Sequence, residues 1–514
     1  MPRRDRADKF HSVPFKPRHR RSRDDLLPAA DSLDRLMEEF NAKFATVPEG
    51  GKTHVFEQRR DPELNCFRLD KWSFKAFRER YSHLRLSVPG SDGEPITKTF
   101  AEWWLSNPKR RHYDRGAIFD PSGNTPEGYL NLWRGYGVDP AAGDWSLLRE
   151  HIERVVCRGE PKHFDYFLNW AALMVQHPNK PGEVAIVLRG KKGTGKGIVG
   201  TSIATIFGPH ALQISNSSHL VGRFNSHLRA CVFLFADEAF FAGDKPGEGT
   251  LKSLITERRL AIEEKFEAVK SEANRLHIML ASNSEWVIPA TADERRFFCL
   301  EVADNRRGDF RYFRAIRRQL DNGGLAAMLY ELLHRDISKF DVRDLPASPA
   351  LAWQKTFSLD SVAKWWLTVL TRGFLFRSRH GDPRLMQWCE PQEPEPGREP
   401  KEPEPWEKGF FTNNLLHDSY LQWLSENRPY DRKSREELGR FMIQLYPRKR
   451  PYGPQILSEL ESPDAHRGSV VFSPSNKRCP GYQVGSLDEA RASFCEKFDG
   501  VIVEWREEED DPGG

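Results

Sequence analysis

A buried-strand pattern, a glycine-rich loop and a helix pattern follow one another near the middle of the chain and limit the folds it can adopt. Residues 184–189 read VAIVLR, a continuous apolar run typical of a parallel strand covered on both faces. Residues 190–197 read GKKGTGKG, and KGIVGTSIATIFG (196–208) has helical spacing and a terminal glycine. Two more apolar runs follow, so the sequence predicts an α/β fold built on a parallel sheet.

Residues 190–197, called the glycine loop below, match the phosphate-binding pattern G-x-x-x-x-G-K-[ST] at every position except the last. Gly197 stands where the pattern has a hydroxyl. In this context, glycine N–H groups, the lysine charge and the helix N-terminus would together attract phosphate. The alternative is an ordinary glycine-rich turn. The predicted nucleotide-binding residues are Gly190, Lys192, Gly193, Thr194, Gly195, Lys196 and Gly197.

Two further apolar runs end in polar residues. CVFLFADE (231–238) ends in Asp237 and Glu238, and HIMLASN (277–283) ends in Asn283. An aspartate at a strand end can hold Mg²⁺ directly or through water, and a neighbouring glutamate can polarise the attacking water. Asn283 could hydrogen-bond the γ-phosphate or that water. Taken alone, each could be an acid at a strand end or an asparagine capping a turn.

A pair of arginines precedes the next apolar strand. In TADERRFF (291–298), Arg295 or Arg296 could reach the γ-phosphate held by a neighbouring subunit. The alternative is a surface ion pair with Asp293 or Glu294.

Taken in chain order, these motifs resemble those of one enzyme family. GKKGTGKG, VFLFADE, MLASN and ERRFF, at this spacing, are similar to the motifs of superfamily 3 helicases. More narrowly, the chain resembles the helicase part of phage and plasmid primase-helicases, relatives of the poxvirus-type helicase-primases. The resemblance covers residues 115–305 and implies a P-loop, AAA+-like parallel-sheet core.

The resemblance also implies a function, a replicative ATP-dependent DNA helicase of a phage, plasmid or other mobile element. Such an enzyme is a ring-shaped homo-oligomer, a hexamer, that uses ATP and Mg²⁺ and translocates on single-stranded or forked DNA. We find no primase centre of clustered carboxylates ahead of the motor, so a primase would be a separate partner. The resemblance assigns the metal to Asp237 and catalytic roles to Lys196, Glu238, Asn283, Arg295 and Arg296.

The family also carries a DNA-contacting hairpin between the acidic pair and the asparagine. Here that interval contains LAIEEKFEAVKSEANRLHI (260–278), in which Lys265 and Lys270 flank a predicted hairpin tip. A lysine on such a hairpin could bind a DNA phosphate. The alternative is an ordinary charged hairpin.

Gly197 leaves open which group would bind Mg²⁺ and whether the protein unwinds DNA. Thr194, Thr201 or a water molecule could take the place of the missing hydroxyl. The substitution also favours a second function, an ATP-switched DNA-binding initiator or primase-recruiting module without unwinding activity. A small-molecule kinase is disfavoured, because a kinase needs neither an arginine from a neighbouring subunit nor an acidic pair followed by an asparagine-ended strand.

The composition of the chain argues against several classes of protein. The chain has 514 residues and a formal net charge of only +4, and its seven cysteines are scattered. No cysteine pair has C-x-x-C spacing, so a zinc or disulfide framework is not expected. No apolar run is long enough to span a membrane, and the basic N-terminus lacks the apolar core of a secretory signal. These features predict a cytoplasmic protein of a bacterium or a phage-infected cell.

Local composition and pattern divide the chain into six segments. The glutamate- and proline-rich stretch PQEPEPGREPKEPEP indicates a stiff linker, and the helix–helix–hairpin–helix pattern beyond it is typical of a winged-helix domain. The predicted segments are a basic disordered arm (1–30), an accessory α+β domain (31–120), a connector and helical collar (121–180), the ATPase domain (181–385), the linker (386–408) and a winged-helix-like domain (409–508).

Overall fold

The computed structural model describes most of the chain between residues 30 and 498. The described residues are 30–62, 66–89, 94–216, 222, 224–238, 245–265, 269–288, 290, 294–373, 375–376, 410–429, 431–449, 452–456, 472–478 and 480–498. The predicted linker (386–408) and, apart from residue 30, the predicted basic arm lie outside them. None of the described helices has both the length and the apolar character needed to cross a bilayer.

The chain divides into two compact units. The first consists of Met1–Val287 and Arg295–Ala347, and the second of Ile288–Glu294 and Ser348–Gly514. All predicted site residues belong to the first unit.

The first unit begins with an α+β region that matches the mixed pattern of the sequence. Its core is aromatic, with Phe44, Phe77, Phe100 and Trp104 all fully buried. Strands β1 to β3 form an antiparallel sheet, and β4 pairs with β5. The elements are α1 (Ala30–Asn41), β1 (Phe44–Glu49), β2 (Lys52–Arg60), β3 (Phe67–Ser73), α2 (Phe74–Arg80), β4 (Arg85–Pro89), β5 (Pro95–Thr99) and α3 (Phe100–Ser106).

A connector and a helical layer follow. Strands β6 (Gly116–Ile118) and β7 (Tyr129–Asn131) form a short parallel pair. Helix α4 (Ser146–His151) continues into a π-helical turn, Ile152–Val156. Helix α5 (Pro161–Gln176) starts with a proline, which lacks only an N–H that has no partner in the first helical turn.

The centre of the first unit is a five-stranded parallel sheet, as the apolar runs predict. Its strand order is β14-β8-β13-β10-β9, so the strand before the glycine loop is the second of five. All residues of Ala185–Leu188 are buried, which explains the continuous apolar sequence. The elements are β8 (Ala185–Arg189), α6 (Lys196–Phe207), β9 (Ala211–Ile214), β10 (Phe233–Asp237), α7 (Lys245–Thr256), β11 (Arg259–Ile262), β12 (Lys270–Ala273), β13 (His277–Ser282) and β14 (Phe297–Glu301).

Two helices complete the first unit. Helix α8 (Phe310–Gln319) begins at Asp309, whose side chain accepts a hydrogen bond from the N–H of Tyr312. It is followed by a kinked turn, Leu320–Gly324, in which Gly323 has a φ of 95°, and by α9 (Leu325–His334). Strands β11 and β12 pair as an antiparallel hairpin outside the parallel sheet.

The second unit has a helical core with short antiparallel strands. Trp365, Trp366 and Tyr420 are buried at its centre. Helices α10 and α11, which the predicted boundaries assign to the ATPase segment, belong to this unit. The elements are α10 (Pro349–Ser358), α11 (Ser361–Arg372), β15 (Phe410–Thr412), α12 (Asn413–Asn427), α13 (Arg435–Leu445), β16 (Arg448–Lys449), β17 (Tyr452–Ile456), β18 (Phe472–Arg478), β19 (Gly481–Gln483) and α14 (Leu487–Lys497).

Candidate nucleotide-binding site

The glycine loop joins β8 to α6 in a conformation that requires its glycines. Gly193 has a φ of 82° and Gly195 a φ of 93°, a region that side chains disfavour. A Cβ atom at Gly195 would lie 2.4 Å from Nε2 of His151 and 2.6 Å from Cε1 of Phe313, and His151 is fully buried. The loop is therefore packed against the helical layer with no room for a side chain at Gly195.

Lys196 is the first residue of α6 and lies almost wholly inside the protein, with 6% of its surface exposed. Its Nζ donates hydrogen bonds to the carbonyl oxygens of Gly190 (2.6 Å) and Lys191 (2.8 Å) and to Oδ1 of Asn283 (2.8 Å). Burial lowers the pKa of this lysine, while Asp237 and other nearby carboxylates oppose the shift. The ammonium group thus sits at the mouth of the loop, held by neutral oxygens that a phosphate could replace.

The two acidic residues follow β10 at the same edge of the sheet. Burial raises the pKa of Asp237, and the negative charge of Glu238 raises it further, while Lys196 lowers it. Glu238 has a φ of 59°, which costs a residue with a side chain about 1–2 kcal/mol. Its N–H donates to the carbonyl oxygen of Ala281 (2.8 Å), which ties the strained residue to β13.

Asn283 connects the lysine to the glutamate. Its Oδ1 accepts from Lys196, and its Nδ2 donates to Oε1 of Glu238 at 2.5 Å. Glu238 and Asn283 directly follow β10 and β13, and Lys196 begins the helix after the loop that follows β8. These three strands are parallel neighbours in the sheet. Parallel strands carry their functional groups at their carboxyl ends, which explains why residues 45 and 87 positions away in sequence meet here.

Gly197 lies near Asp237. A Cβ atom at Gly197 would lie 3.9 Å from Oδ2 of Asp237, so a side chain at this position would begin in contact with this carboxylate. The hydroxyl of Thr194 donates to the carbonyl oxygen of Lys191 (2.9 Å), and that of Thr201 to the carbonyl oxygen of Gly197 (2.8 Å). Both threonine hydroxyls therefore already have backbone partners.

The donor set suits Mg²⁺ better than a tightly bound structural metal. Among the described residues, no cluster of three or more His, Cys, Asp or Glu side chains could hold a metal ion. Mg²⁺ is usually bound by one or two carboxylates together with substrate phosphates and water. Asp237, with the open space left by Gly197, is the carboxylate that could hold such an ion.

Several features of the site have no signal in the sequence. His151, which lies against Gly195, has its pKa lowered to about 4 by burial, so it is neutral near pH 7. A Cβ atom at Gly200 would come within 2.4 Å of the ring of Phe235, so the glycine lets α6 lie close to β10. The exposed tip of the loop, which includes Lys192, is tied to the segment before α8 by an ion pair between Lys191 and Asp304 (2.8 Å).

The remaining predicted residues lie elsewhere. Arg295 and Arg296 precede β14, and β14 runs parallel to β8. They therefore lie at the amino-terminal edge of the sheet, one strand length or about 16 Å from the glycine loop. Lys265 follows β11 and Lys270 begins β12, so both belong to the antiparallel hairpin. The structure thus gathers the loop, Asp237, Glu238 and Asn283 but neither the arginines nor the lysines.

Comparisons with known proteins find a family model and a phage DNA primase-polymerase, each matching part of the chain. A model of a family of unknown function, DUF5906, matches residues 188–296, which contain the glycine loop, the acidic pair and Asn283. The DNA primase-polymerase of Nitratiruptor phage NrS-1 is 27% identical over 145 residues, 28% of this chain and 20% of that protein. The match therefore spans one fifth of the relative's length.

One solved structure shares the fold over most of the chain. The apo structure of the NrS-1 C-terminal region superposes with a TM-score of 0.53 at 17% sequence identity. The match covers 86% of this chain and 96% of that one, so the fold similarity extends well beyond the sequence match.

Proposed function

We propose that this protein is a nucleoside triphosphatase that drives a replicative DNA helicase, with ATP bound at the glycine loop. The observation that carries the proposal is the chain of hydrogen bonds from Lys196 through Asn283 to Glu238, with Asp237 beside it. A cation, a polar sensor and a carboxylate at one sheet edge are the groups that phosphoryl transfer to water requires.

In the proposed mechanism, the loop N–H groups and Lys196 bind the phosphates and compensate their charge. Phosphate oxygens would replace Asn283 as a partner of the lysine, and Asn283 would then be available to reorient Glu238. Glu238 accepts the proton of the attacking water. Mg²⁺ at Asp237 would neutralise charge on the phosphate oxygens.

The DNA part of the proposal is supported by the partial similarity to a phage DNA primase-polymerase. It is also supported by the motif order that resembles superfamily 3 helicases. An AAA+-like core, a winged-helix-like C-terminal domain and a hexameric ring belong to the same proposal, as does a primase acting as a separate protein. The substrate would be single-stranded or forked DNA.

The test is to measure ATP hydrolysis with and without single-stranded DNA, and strand separation on a forked substrate. Lys196→Ala should reduce turnover about 10²-fold or more, because the phosphates lose their buried cation. The matched control is Lys180→Ala, which removes an exposed lysine just ahead of β8. Wild-type turnover in the Lys196 variant would contradict the assignment of the loop.

The same experiment separates the second candidate function. Gly197, which removes the usual metal-binding hydroxyl, favours an ATP-switched initiator that loads on DNA without unwinding it. Nucleotide-dependent DNA binding without strand separation would support this alternative over the helicase.

Mixing two inactive variants tests whether neighbouring subunits of a ring share one ATP site. Arg295 and Arg296 lie away from the glycine loop of their own chain, so we propose that one of them acts on a neighbour's ATP. Arg295→Ala/Arg296→Ala and Lys196→Ala proteins should each be inactive, while a mixture regains part of the turnover at interfaces that pair an intact loop with intact arginines. Mixed oligomers, verified by mass, that stay inactive would show that the arginines do not act between subunits.

A further inference from the structure

Helix α8 and the loop before it form a strongly basic surface segment of the first unit. Residues 304–319, DNRRGDFRYFRAIRRQ, hold six arginines and two aspartates, a formal net charge of +4. The entire 514-residue chain has the same net charge. We call residues 304–319 the arginine segment.

One face of α8 is buried and the other is covered with arginine. Ile316 is fully buried, while Tyr312 and Phe313 are partly buried against the same core. The arginines are exposed, and Arg306 lies over the ring of Tyr312, with 4.7 Å between Cζ and the ring centroid. Phe310 at the helix start is 80% exposed. The exposed arginines are Arg306, Arg307, Arg311, Arg314, Arg317 and Arg318.

Neighbouring acids do not neutralise this surface. Asp304 pairs with Lys191, and Asp309 pairs with Arg306 and caps the helix. Across the part of the chain that the structure describes, the four arginines of the helix itself form no ion pair with an acidic side chain. These four are Arg311, Arg314, Arg317 and Arg318.

The spacing of these arginines suits an extended polyanion. Arg311, Arg314 and Arg318 follow one another three and four residues apart, so they form a row on one side of the helix about 10 Å long. Like charges at this spacing repel each other and destabilise an isolated helix. A bound row of phosphates would turn this repulsion into attraction. The exposed ring of Phe310 at the start of the row offers a surface on which a base can stack.

The arginine segment is also in direct contact with the glycine loop. The N–H of Gly308 donates to the carbonyl oxygen of Gly193 at 3.4 Å, and Lys191 bonds Asp304 at 2.8 Å. The ring of Phe313 packs against His151, with 5.6 Å between ring centroids, and both rings border Gly195. If nucleotide binding moves the loop, these contacts would therefore also move the start of α8.

We propose that the arginine segment binds the backbone of single-stranded DNA, with Phe310 stacking on a base, beside the nucleotide site. This inference rests on the proposed function, since it identifies the surface through which that motor holds its strand. The β11–β12 hairpin is a weaker candidate by charge, because residues 259–273 hold three basic and four acidic side chains. The main competing occupant is a second copy of this chain.

The experiment measures the affinity of the full chain for fluorescently labelled oligothymidine across a salt series. The variant Arg311→Gln/Arg314→Gln/Arg318→Gln should bind about tenfold or more weakly near 0.1 M salt. Each phosphate contact contributes about 0.7 to the slope of log affinity against log salt on a single strand, so this slope should fall by about 2. Restoring the charge as Arg311→Lys/Arg314→Lys/Arg318→Lys should recover most of the affinity.

The matched control removes the same amount of charge elsewhere. Arg35→Gln/Lys52→Gln/Lys75→Gln changes three exposed basic residues on separate elements of the N-terminal region. It should leave both the affinity and the salt slope close to wild type, which separates a local surface from overall charge. Phe310→Ala should weaken binding without changing the salt slope, because stacking does not release counterions.

Two results would overturn the proposal. The first is a glutamine variant with the affinity and slope of wild type. The second is a glutamine variant that loses self-association in mass measurements while each chain still binds DNA normally, which would identify α8 as a subunit interface. ATP turnover without DNA, measured in parallel on the wild type, keeps the two hypotheses apart. Absent turnover contradicts the proposed function, whereas normal turnover with α8-independent DNA binding contradicts only this inference.

Discussion

The glycine loop and the arginine segment lie side by side and both offer positive charge, yet they are built in opposite ways. The loop relies on one lysine, 6% exposed and fixed by three hydrogen bonds of 2.6–2.8 Å, within a backbone that needs glycine. The arginine segment carries six exposed guanidinium groups, two on a loop and four on the helix that follows it. A buried charge acts at short range and is little screened, whereas exposed charges act together and are screened by salt.

This difference predicts how each region responds to mutation. In the loop and the acidic residues beside it, a single substitution should remove most of the ATP hydrolysis. In the arginine segment, each side chain should contribute a small, salt-dependent share. Substitutions in both regions test this contrast.

Glu238→Gln should have the largest effect, a fall in ATP hydrolysis of about 10²- to 10⁴-fold, because an amide cannot accept the proton of water. ATP binding should persist, since Lys196 and the loop are unchanged. Turnover and binding of a fluorescent nucleotide are measured on the same preparation. Unchanged turnover would mean that Glu238 is not the catalytic carboxylate. The acidic side of the site would then tolerate substitution as well as the exposed arginine segment does.

Gly195→Ala should abolish measurable nucleotide binding, because the new Cβ would lie 2.4 Å from Nε2 of His151. The matched control is Gly135→Ala, where φ is also positive at 88° but no atom lies within 4 Å. Both variants should lose about 1–2 kcal/mol of stability from backbone strain, and Gly195→Ala should lose more because its Cβ overlaps His151 and Phe313. Only Gly195→Ala should lose nucleotide binding. Equal binding by both variants would show that packing against His151 does not fix the loop.

Gly197→Ser should lower the Mg²⁺ concentration needed for half-maximal turnover by several-fold, about 1 kcal/mol of added binding. The reason is that the new side chain starts 3.9 Å from Oδ2 of Asp237, where a hydroxyl can join the metal site. Gly197→Ala controls for the gain in helix propensity, which both substitutions share. A serine variant that behaves like the alanine variant would show that position 197 does not face the metal.

The sequence predicts the strands and which residues meet at their ends where the signal is local. Buried parallel strands are continuous apolar runs, so β8, β10 and β13 can be recognised, and their carboxyl ends must share one edge. The contact between Lys196 and Asn283 follows from that rule. In contrast, nothing local places His151 against Gly195, because helix packing brings them together.

The function of the arginine segment could not be predicted from the sequence. Its charges are plain in the sequence, but a charge run is usually a solvated helix face. What makes it a candidate is its contact with the loop through Gly193 and Gly308, which depends on the tertiary structure. The family resemblance directs attention to the hairpin lysines instead.

The smallest expected effect belongs to that hairpin. Lys265→Gln/Lys270→Gln should change the affinity for single-stranded DNA by less than about twofold, since residues 259–273 hold four acidic and only three basic side chains. The matched comparison is Arg311→Gln/Arg314→Gln, which removes the same charge from α8 and should weaken binding several-fold with a slope reduced by about 1.4. The two variants have the same net charge, so overall electrostatics cannot separate them. A larger loss from the hairpin pair would place the DNA contact where the resemblance puts it, and α8 would then be a solvated basic face.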